Sequence, residues 1–499
     1  MSDPLALLPL ALAAGGGRVG VAGDDRAYDA GQLVAAGLTL LQRSAPLVRA
    51  LAGRRSAILL PTSPAFLTAL AASDGRGAVL VNPLASAHEI AFQCADANVG
   101  AAFTARAFAD RLPGGLPFVL LDDAPRTARV VAPDRTHDVD LGSHHGLVIE
   151  GERDVRGRDE EAAIVYTSAM AGTPLGAVLT HANLLANARS TVIAAEYDER
   201  DEVLALLPLA HLFGLTVSCA APLLAGGRVR TVERFNPARA AELLAEGITA
   251  LVGVPAVFHA LLAAIERRGV DLRGSALRLC ICGGAALPVS LQDRWAEATG
   301  VELRQGYGLT EAGPVCLFNR VDRANVRGTL GVPFPGVDVA ILPPASFPAP
   351  APGLASEPPR PDGEIGEICV RGENVFRGYL HGASGLPRRG DWLCTGDLGV
   401  RNADATFTFS GVVKPMFTRS GFNIYPREIE RAVLELPGVT QAVVTAIPDA
   451  AKEHDIHLRF AGAPSSEDVR RWCAERLSAY KQPGVVERMS SDRAEHRAD

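Results

Sequence analysis

Within QGYGLTEAG (residues 305–313) a threonine hydroxyl and a carboxylate, Thr310 and Glu311, stand side by side in a glycine-punctuated turn. The pair offers a hydroxyl donor next to an anionic acceptor, and such a pair also serves as a helix cap. Tyr307 in the same stretch presents a π-face, for a flat ligand or for the core. In TGDLG (395–399), Asp397 can accept two hydroxyls bidentately; D-x-G by itself also favours a plain turn. Gly283 and Gly284 in CGGAALP let backbone approach a flat ligand with no Cβ in the way, and a strand-to-helix turn would use them equally. His211, in LPLAHLFG, is a lone histidine in an apolar stretch, structural or functional. YTSAMAGTPLGAVLTHANLL (166–185) reads as a strand end, a small-residue turn holding Thr167, Ser168 and Gly172, and the start of a helix. That is the shape of a phosphate-binding loop, but the turn holds no lysine and few hydroxyls.

These groups need a scaffold. Strand-length apolar runs bounded by Gly, Pro or Asp occur at 56–61, 78–83, 118–123, 162–168, 202–208 and 277–284, and helix-period stretches such as 237–246 and 255–268 alternate with them. The alternation predicts an α/β fold with largely buried sheets. Past about residue 325 the texture changes. Strands are expected at 338–342 and 363–372, around a stretch with eight prolines between 343 and 362, read as an exposed extended loop. A hairpin is expected over 392–411, and the last 85 or so residues carry their own β/α pattern. The fold class is therefore α/β: a large N-terminal domain over 1–411, with layered sheets and helices and a small β-region, and a small mobile α+β domain over 412–499. A net charge of −7 without a long basic run argues against nucleic acid or an anionic membrane surface as partner. Eight scattered cysteines without C-x-x-C suggest a reducing cytoplasm rather than a disulfide or zinc framework. The apolar stretch 4–14 lacks a basic flank and is too short to span a bilayer, so a docked helix is expected there, and no integral membrane segment.

Taken in order, the phosphate loop, ALLPLAHLFGLT, CGGAALP, QGYGLTEAG, TGDLG and RSGFNIYPREIE (419–430) resemble the adenylate-forming (AMP-binding) superfamily, and among its members acyl-CoA synthetases. The resemblance covers about residues 20–485. It implies ATP and AMP, Mg²⁺ and coenzyme A, or a carrier-protein phosphopantetheine, as cofactors and partners, with a small-molecule carboxylic acid as substrate. It implies that Thr310 bonds the α-phosphate, Glu311 holds Mg²⁺, Tyr307 stacks on adenine, Asp397 takes the ribose hydroxyls, and Thr167 and Ser168 bond phosphate oxygens. It also implies that Gly283 and Gly284 wall the adenine and acyl pocket, that His211 stands at its entrance, and that Lys414 is the hinge of a C-terminal domain capping the active site. The acyl pocket is expected around 211–216, 254–258 and 283–286.

Three departures from the family pattern follow. Ala169, Met170, Ala171 and Leu175 replace the loop's glycine, two hydroxyl residues and lysine. Val412 stands where the hinge motif has arginine, and no Gly-Lys follows the lead-in that ends near Lys481. All three fall on the ATP half-reaction, where each charge-assisted contact is worth on the order of 1.5–3 kcal/mol. Two readings stay open: an acyl-CoA synthetase-like ligase with a divergent phosphate loop, whose adenylation the losses could impair, or a non-catalytic or half-catalytic homologue that binds AMP or acyl-adenylate or acts as a pathway partner.

Overall fold

The computed structural model describes residues 26–73, 77–122, 125–142, 158–167, 173–344, 358–383, 385–413, 416–449 and 452–489, with residues 9, 11, 12, 21 and 22. Two nine-stranded sheets form its body. In one, Glu202–Ala205, Arg228–Thr231, Ala250–Gly253, Leu279–Cys282 and Leu303–Gly308 run parallel. Ala250–Gly253 and Leu279–Cys282 are buried along their whole length, as a sheet covered on both faces requires. The other centres on Arg55–Leu59, Ala78–Leu80, Val99–Thr104 and Glu161–Thr167. The six apolar runs all form strands, several ending where a proline would interrupt the ladder. Helices cover the sheets. Pro255–Arg268 starts on a proline and stops at Gly269, whose φ of 64° suits only glycine well. Its Phe258 meets the edge of Trp295 with ring centroids 4.8 Å apart, a contact worth about 0.5–1.5 kcal/mol beyond simple burial.

The stretch after the phosphate turn departs from the strand–turn–helix expectation. A strand, Leu175–Thr180, comes first and runs antiparallel to Glu161–Thr167, with Leu175 opposite Thr167. The turn residues 168–172 between these two strands lie outside the described residues. The run from Gly176 to Thr180 is buried throughout, which a short sheet-core segment explains as well as a helix start does. The helix His181–Ala195 begins only afterwards, capped by its own sequence: Thr180 Oγ1 accepts from the Asn183 N–H, and the Asn183 side chain accepts from the Thr180 N–H.

A smaller antiparallel sheet joins Val337–Leu342, Gly366–Gly372 and Trp392–Arg401, and Phe407–Val412 returns along the last as a hairpin that sets Asp397 opposite Val412. The proline-rich stretch lies largely outside the described residues. Further on, Phe417–Arg419 pairs with Phe422–Ile424, and Val439–Asp449, Glu453–Gly462 and Val485–Arg488 make a three-stranded sheet. Helices Pro426–Leu434 and Ser466–Arg476 pack on it around Ile429, Val433, Ile456 and Phe460, a hydrophobic cluster distinct from those of the large sheets. No helix among the described residues is long and apolar enough to cross a membrane.

Candidate active site

The two large sheets, the small sheet and the C-terminal elements converge on one cavity of about 1200 Å³. Thr167, His211, Gly283 and Gly284 line it, and so do Tyr307, Thr310, Glu311 and Asp397. Ser168, Gly172 and Lys414, along with Ala169, Met170 and Ala171, lie outside the described residues.

Glu311 sits in the short helical turn Thr310–Ala312, between the strand Leu303–Gly308 and its antiparallel partner Val315–Phe318. The turn is tied down at its backbone: the Phe376 N–H donates to Glu311 O at 2.8 Å and Asn374 Nδ2 to Ala312 O at 2.7 Å. The carboxylate is only 7% exposed. Its Oε1 accepts from Tyr379 OH at 2.7 Å and from Thr167 Oγ1 at 3.3 Å; among the described residues Oε2 accepts nothing. Burial first, then the Glu311 charge, holds the Tyr379 phenol well above the usual tyrosine range, so it remains a donor. A buried, oriented carboxylate with one oxygen in reserve fits a hard divalent cation.

Asp397 is approached from the other side. Tyr307 OH donates to its Oδ2 at 2.7 Å, and Thr395 Oγ1 accepts from the Asp397 N–H at 3.1 Å. Burial and then Asp397 raise the Tyr307 phenol well above its ordinary value. The ring thus serves two ends, an oriented π-face and an anchor for the acidic side chain.

His211 faces the cavity's open space while protein surrounds it on the other sides. Its Nδ1 accepts from the Phe213 N–H at 3.2 Å, which leaves the ring proton on Nε2. The protein around it lowers its pKa from the ordinary histidine value. Behind it, Phe213–Ala220 forms a π-helical turn. Gly283 has the Phe213 ring about 3.2 Å from where a Cβ would stand, and Gly284 has φ of 79°, so a side chain at either would intrude on the wall or strain it.

A model of the AMP-binding enzymes matches residues 47–380. The chain belongs to this family. Among curated AMP-binding enzymes and their kin, it is 31% identical over 443 residues to a feruloyl-CoA synthase of Amycolatopsis sp, covering 87% of this chain and 84% of that one. It is 28% identical to a long-chain-fatty-acid–CoA ligase of Bacillus subtilis, covering 87% and 82%. Among solved structures, a malonyl-CoA ligase with methylmalonyl-CoA and AMP bound superposes with a TM-score of 0.77 at 28% identity, over 95% of this chain and 96% of that one. The chain is thus an acyl-CoA synthetase-like member of the family, with its layered α/β fold.

One expectation for this AMP-binding enzyme is corrected. The segment 254–258 does not line the cavity. Gly421, at φ of 80°, brings its turn so close to Val254 that a Cβ would sit 2.9 Å from the valine side chain, while Phe258 is fully buried against Trp295. Of the expected pocket, His211, Phe213 and Gly283–Ala286 do line it.

Other residues of the site are legible only in space. Tyr379, in a short strand beside Leu175–Thr180, reaches Glu311 from 68 positions away. At the cavity's C-terminal lip, Lys481 Nζ lies 2.9 Å from Glu89 Oε1 and 2.6 Å from Glu428 Oε1, with Lys481 and Glu428 only 7% and 6% exposed. Glu89 also accepts from Ser478 Oγ and, at 2.8 Å, from the Ser86 N–H. Burial pushes the Glu89 carboxyl up, but the Lys481 charge and these hydrogen bonds outweigh it and hold it below the ordinary carboxylate value. Burial alone would lower the Lys481 ammonium; Tyr480, Glu428 and Glu89 carry it well above the ordinary lysine value instead. Arg427 and Arg431, four residues apart on the helix Pro426–Leu434, are a further pair that faces the cavity.

Proposed function

We propose that this enzyme condenses a carboxylic acid with ATP, releasing pyrophosphate, and passes the acyl group from the resulting adenylate to the thiol of coenzyme A or of a carrier-protein phosphopantetheine, releasing AMP and a proton. The observation that carries the reading is the placement of Glu311, Thr310 and Asp397 around one cavity. An anionic oxygen, a hydroxyl and a bidentate acceptor there suit metal, phosphate and ribose. The relatives named above share a CoA thioester as product, which favours CoA as the thiol.

In this reading Asp397 takes the ribose hydroxyls, with Tyr307 OH fixing its orientation. Thr310 and Thr167 donate to phosphate oxygens. Glu311, oriented by Tyr379, holds Mg²⁺, which when bound neutralises charge developing on the phosphates. His211, whose Nδ1 accepts from the Phe213 N–H, offers Nε2–H as a donor at the acyl entrance. The apolar wall at Phe213 and Gly283–Ala286 suits a fatty or aromatic acid. We assign residues 1–411 to the AMP-binding domain and 412–499 to a cap that rotates about Lys414 between the two half-reactions. We place its work in the cytoplasm, where its eight buried free thiols stay reduced.

The test is pyrophosphate exchange with MgATP across a panel of aromatic, long-chain and short dicarboxylic acids, followed by thioester formation with CoA. Exchange with one acid class and its thioester are expected; no exchange with any acid at saturating MgATP overturns adenylation. A second reading is supported by Leu175 and Val412. Both lie on the cavity wall, or at its edge, with apolar side chains in place of cations. It is a protein that binds AMP or acyl-adenylate without making it, and tight AMP binding without exchange would favour it.

A further inference from the structure

The phosphate turn has lost its lysine, and the geometry points to a replacement on a different part of the chain. We propose that Arg431, seconded by Arg427, is the cation that grips a ligand's phosphate groups beside Thr173; the proposal rests on the nucleotide- and CoA-binding reading above.

Both arginines lie on one face of the helix Pro426–Leu434, both are exposed, and both line the cavity. The Arg431 guanidinium donates to Thr173 Oγ1, at the end of the turn and two residues before Leu175. Leu175 lines the same cavity and stands opposite Thr167, whose hydroxyl reaches Glu311. Arg431 is therefore held at the corner where the family's lysine would act.

Its charge is uncommitted. Among the described residues neither Arg427 nor Arg431 forms an ion pair, and the acids around them are engaged or apart. Glu428 is held by Lys481, Glu430 accepts from the Val444 N–H at 2.9 Å, and Glu435 lines the cavity without pairing to either arginine. The usual alternative source of positive potential is missing too. The helix His181–Ala195 begins a whole strand away from the turn, and its first amides are taken: the His181 N–H donates to Glu160 O, the Ala182 N–H to Arg158 O and the Asn183 N–H to Thr180 Oγ1. A planar guanidinium pinned at one nitrogen by Thr173 keeps the rest of its fork for a bidentate phosphate contact. Two such groups four residues apart span more than one phosphate.

The chemistry recognised is a phosphate cluster, carried by a nucleoside triphosphate or by the 3′-phosphoadenosine diphosphate of CoA. Calorimetry on the full chain separates them, using MgATP, AMP, CoA and dephospho-CoA against wild type, Arg431→Ala, Arg431→Lys and Arg427→Gln/Arg431→Ala. With ATP as the source, Arg431→Ala weakens MgATP at least about ten-fold, leaves AMP and CoA within about two-fold, and the double variant weakens MgATP further. With CoA as the source, CoA falls to the affinity of dephospho-CoA and MgATP is untouched. In either case Arg431→Lys recovers part of the loss and the wild type shows the steeper salt dependence. Arg431 is exposed, so an unchanged thermal melt certifies the variants as folded. Wild-type binding in which Arg431→Ala leaves both MgATP and CoA within two-fold overturns this assignment alone. Failure of the wild type to bind either ligand brings down the ligase reading and this inference with it.

Discussion

The cavity has two unlike corners. At the Glu311 corner every group comes from the large sheets or the segment laid over them, and neutral donors aim a single charge. Tyr379 and Thr167 hold one oxygen of Glu311, and backbone bonds from Phe376 and Asn374 hold its turn. At the C-terminal lip the groups are charged and come from distant parts of the chain. Lys481 bridges Glu89 and Glu428, and Arg431 reaches Thr173, 258 positions away. The first corner is rigid because sheet hydrogen bonds build it. The second exists only while the helix Pro426–Leu434 and the segment around Lys481 sit against the body. Chemistry that needs fixed geometry belongs at the first corner; under the cap rotation proposed above, ligand gripping at the second would come and go.

The comparison can be broken most forcefully at the lip. Lys481→Met leaves two carboxylates buried around an apolar side chain, and removing one partner of a buried ion pair costs about 3–5 kcal/mol. The C-terminal elements should unfold or detach first, seen as rapid proteolysis beyond residue 412 while the body stays intact; equal loss from both parts would refute the division. Glu311→Gln tests the rigid corner. It keeps the acceptor for Tyr379 and removes the charge, so pyrophosphate exchange should drop about 100- to 1000-fold, near 3–4 kcal/mol of transition-state stabilisation, with an unchanged melting temperature. Asp397→Asn should weaken AMP about ten-fold by calorimetry, since one charge-assisted acceptor is lost and Tyr307 keeps an oxygen to donate to.

A smaller effect should appear on acidification. The folded pKa of Glu89 lies below its unfolded value, so its contribution is complete above the unfolded value of about 4.3 and is lost as the pH falls through the lower folded one. Protease sensitivity of the C-terminal elements should therefore rise below about pH 4, and Glu89→Gln should flatten that rise. Tyr379→Phe should do least, slowing exchange by only a few-fold, because Thr167 still donates to Glu311.

Much of this architecture is readable in the chain. Short apolar runs closed by Pro61, Pro83 or Pro208 become strands because a parallel sheet buries both their faces, and proline cannot continue the ladder. The eight described candidate residues meet around one cavity although they span 230 positions, from Thr167 to Asp397. What escaped reading has a common cause. Gly176–Thr180 is too short and too uniformly apolar for its period to separate strand from helix. Tyr379, Arg431 and the Glu89–Lys481 pair are ordinary surface-type residues in sequence, and only folding sets Lys481 beside a partner 392 positions earlier.

The cavity's size carries one more consequence. At about 1200 Å³ it exceeds the 300–1000 Å³ that usually encloses one drug-sized molecule, and it touches both corners. A single compound with an adenylate-like head for the Asp397 side and a phosphorylated arm for the Arg431 side would bind its second half at an effective concentration in the millimolar range for a short tether. Such a bivalent molecule should exceed the affinity of either half by about 10²- to 10⁴-fold with no new contact, provided its tether spans the distance between the corners.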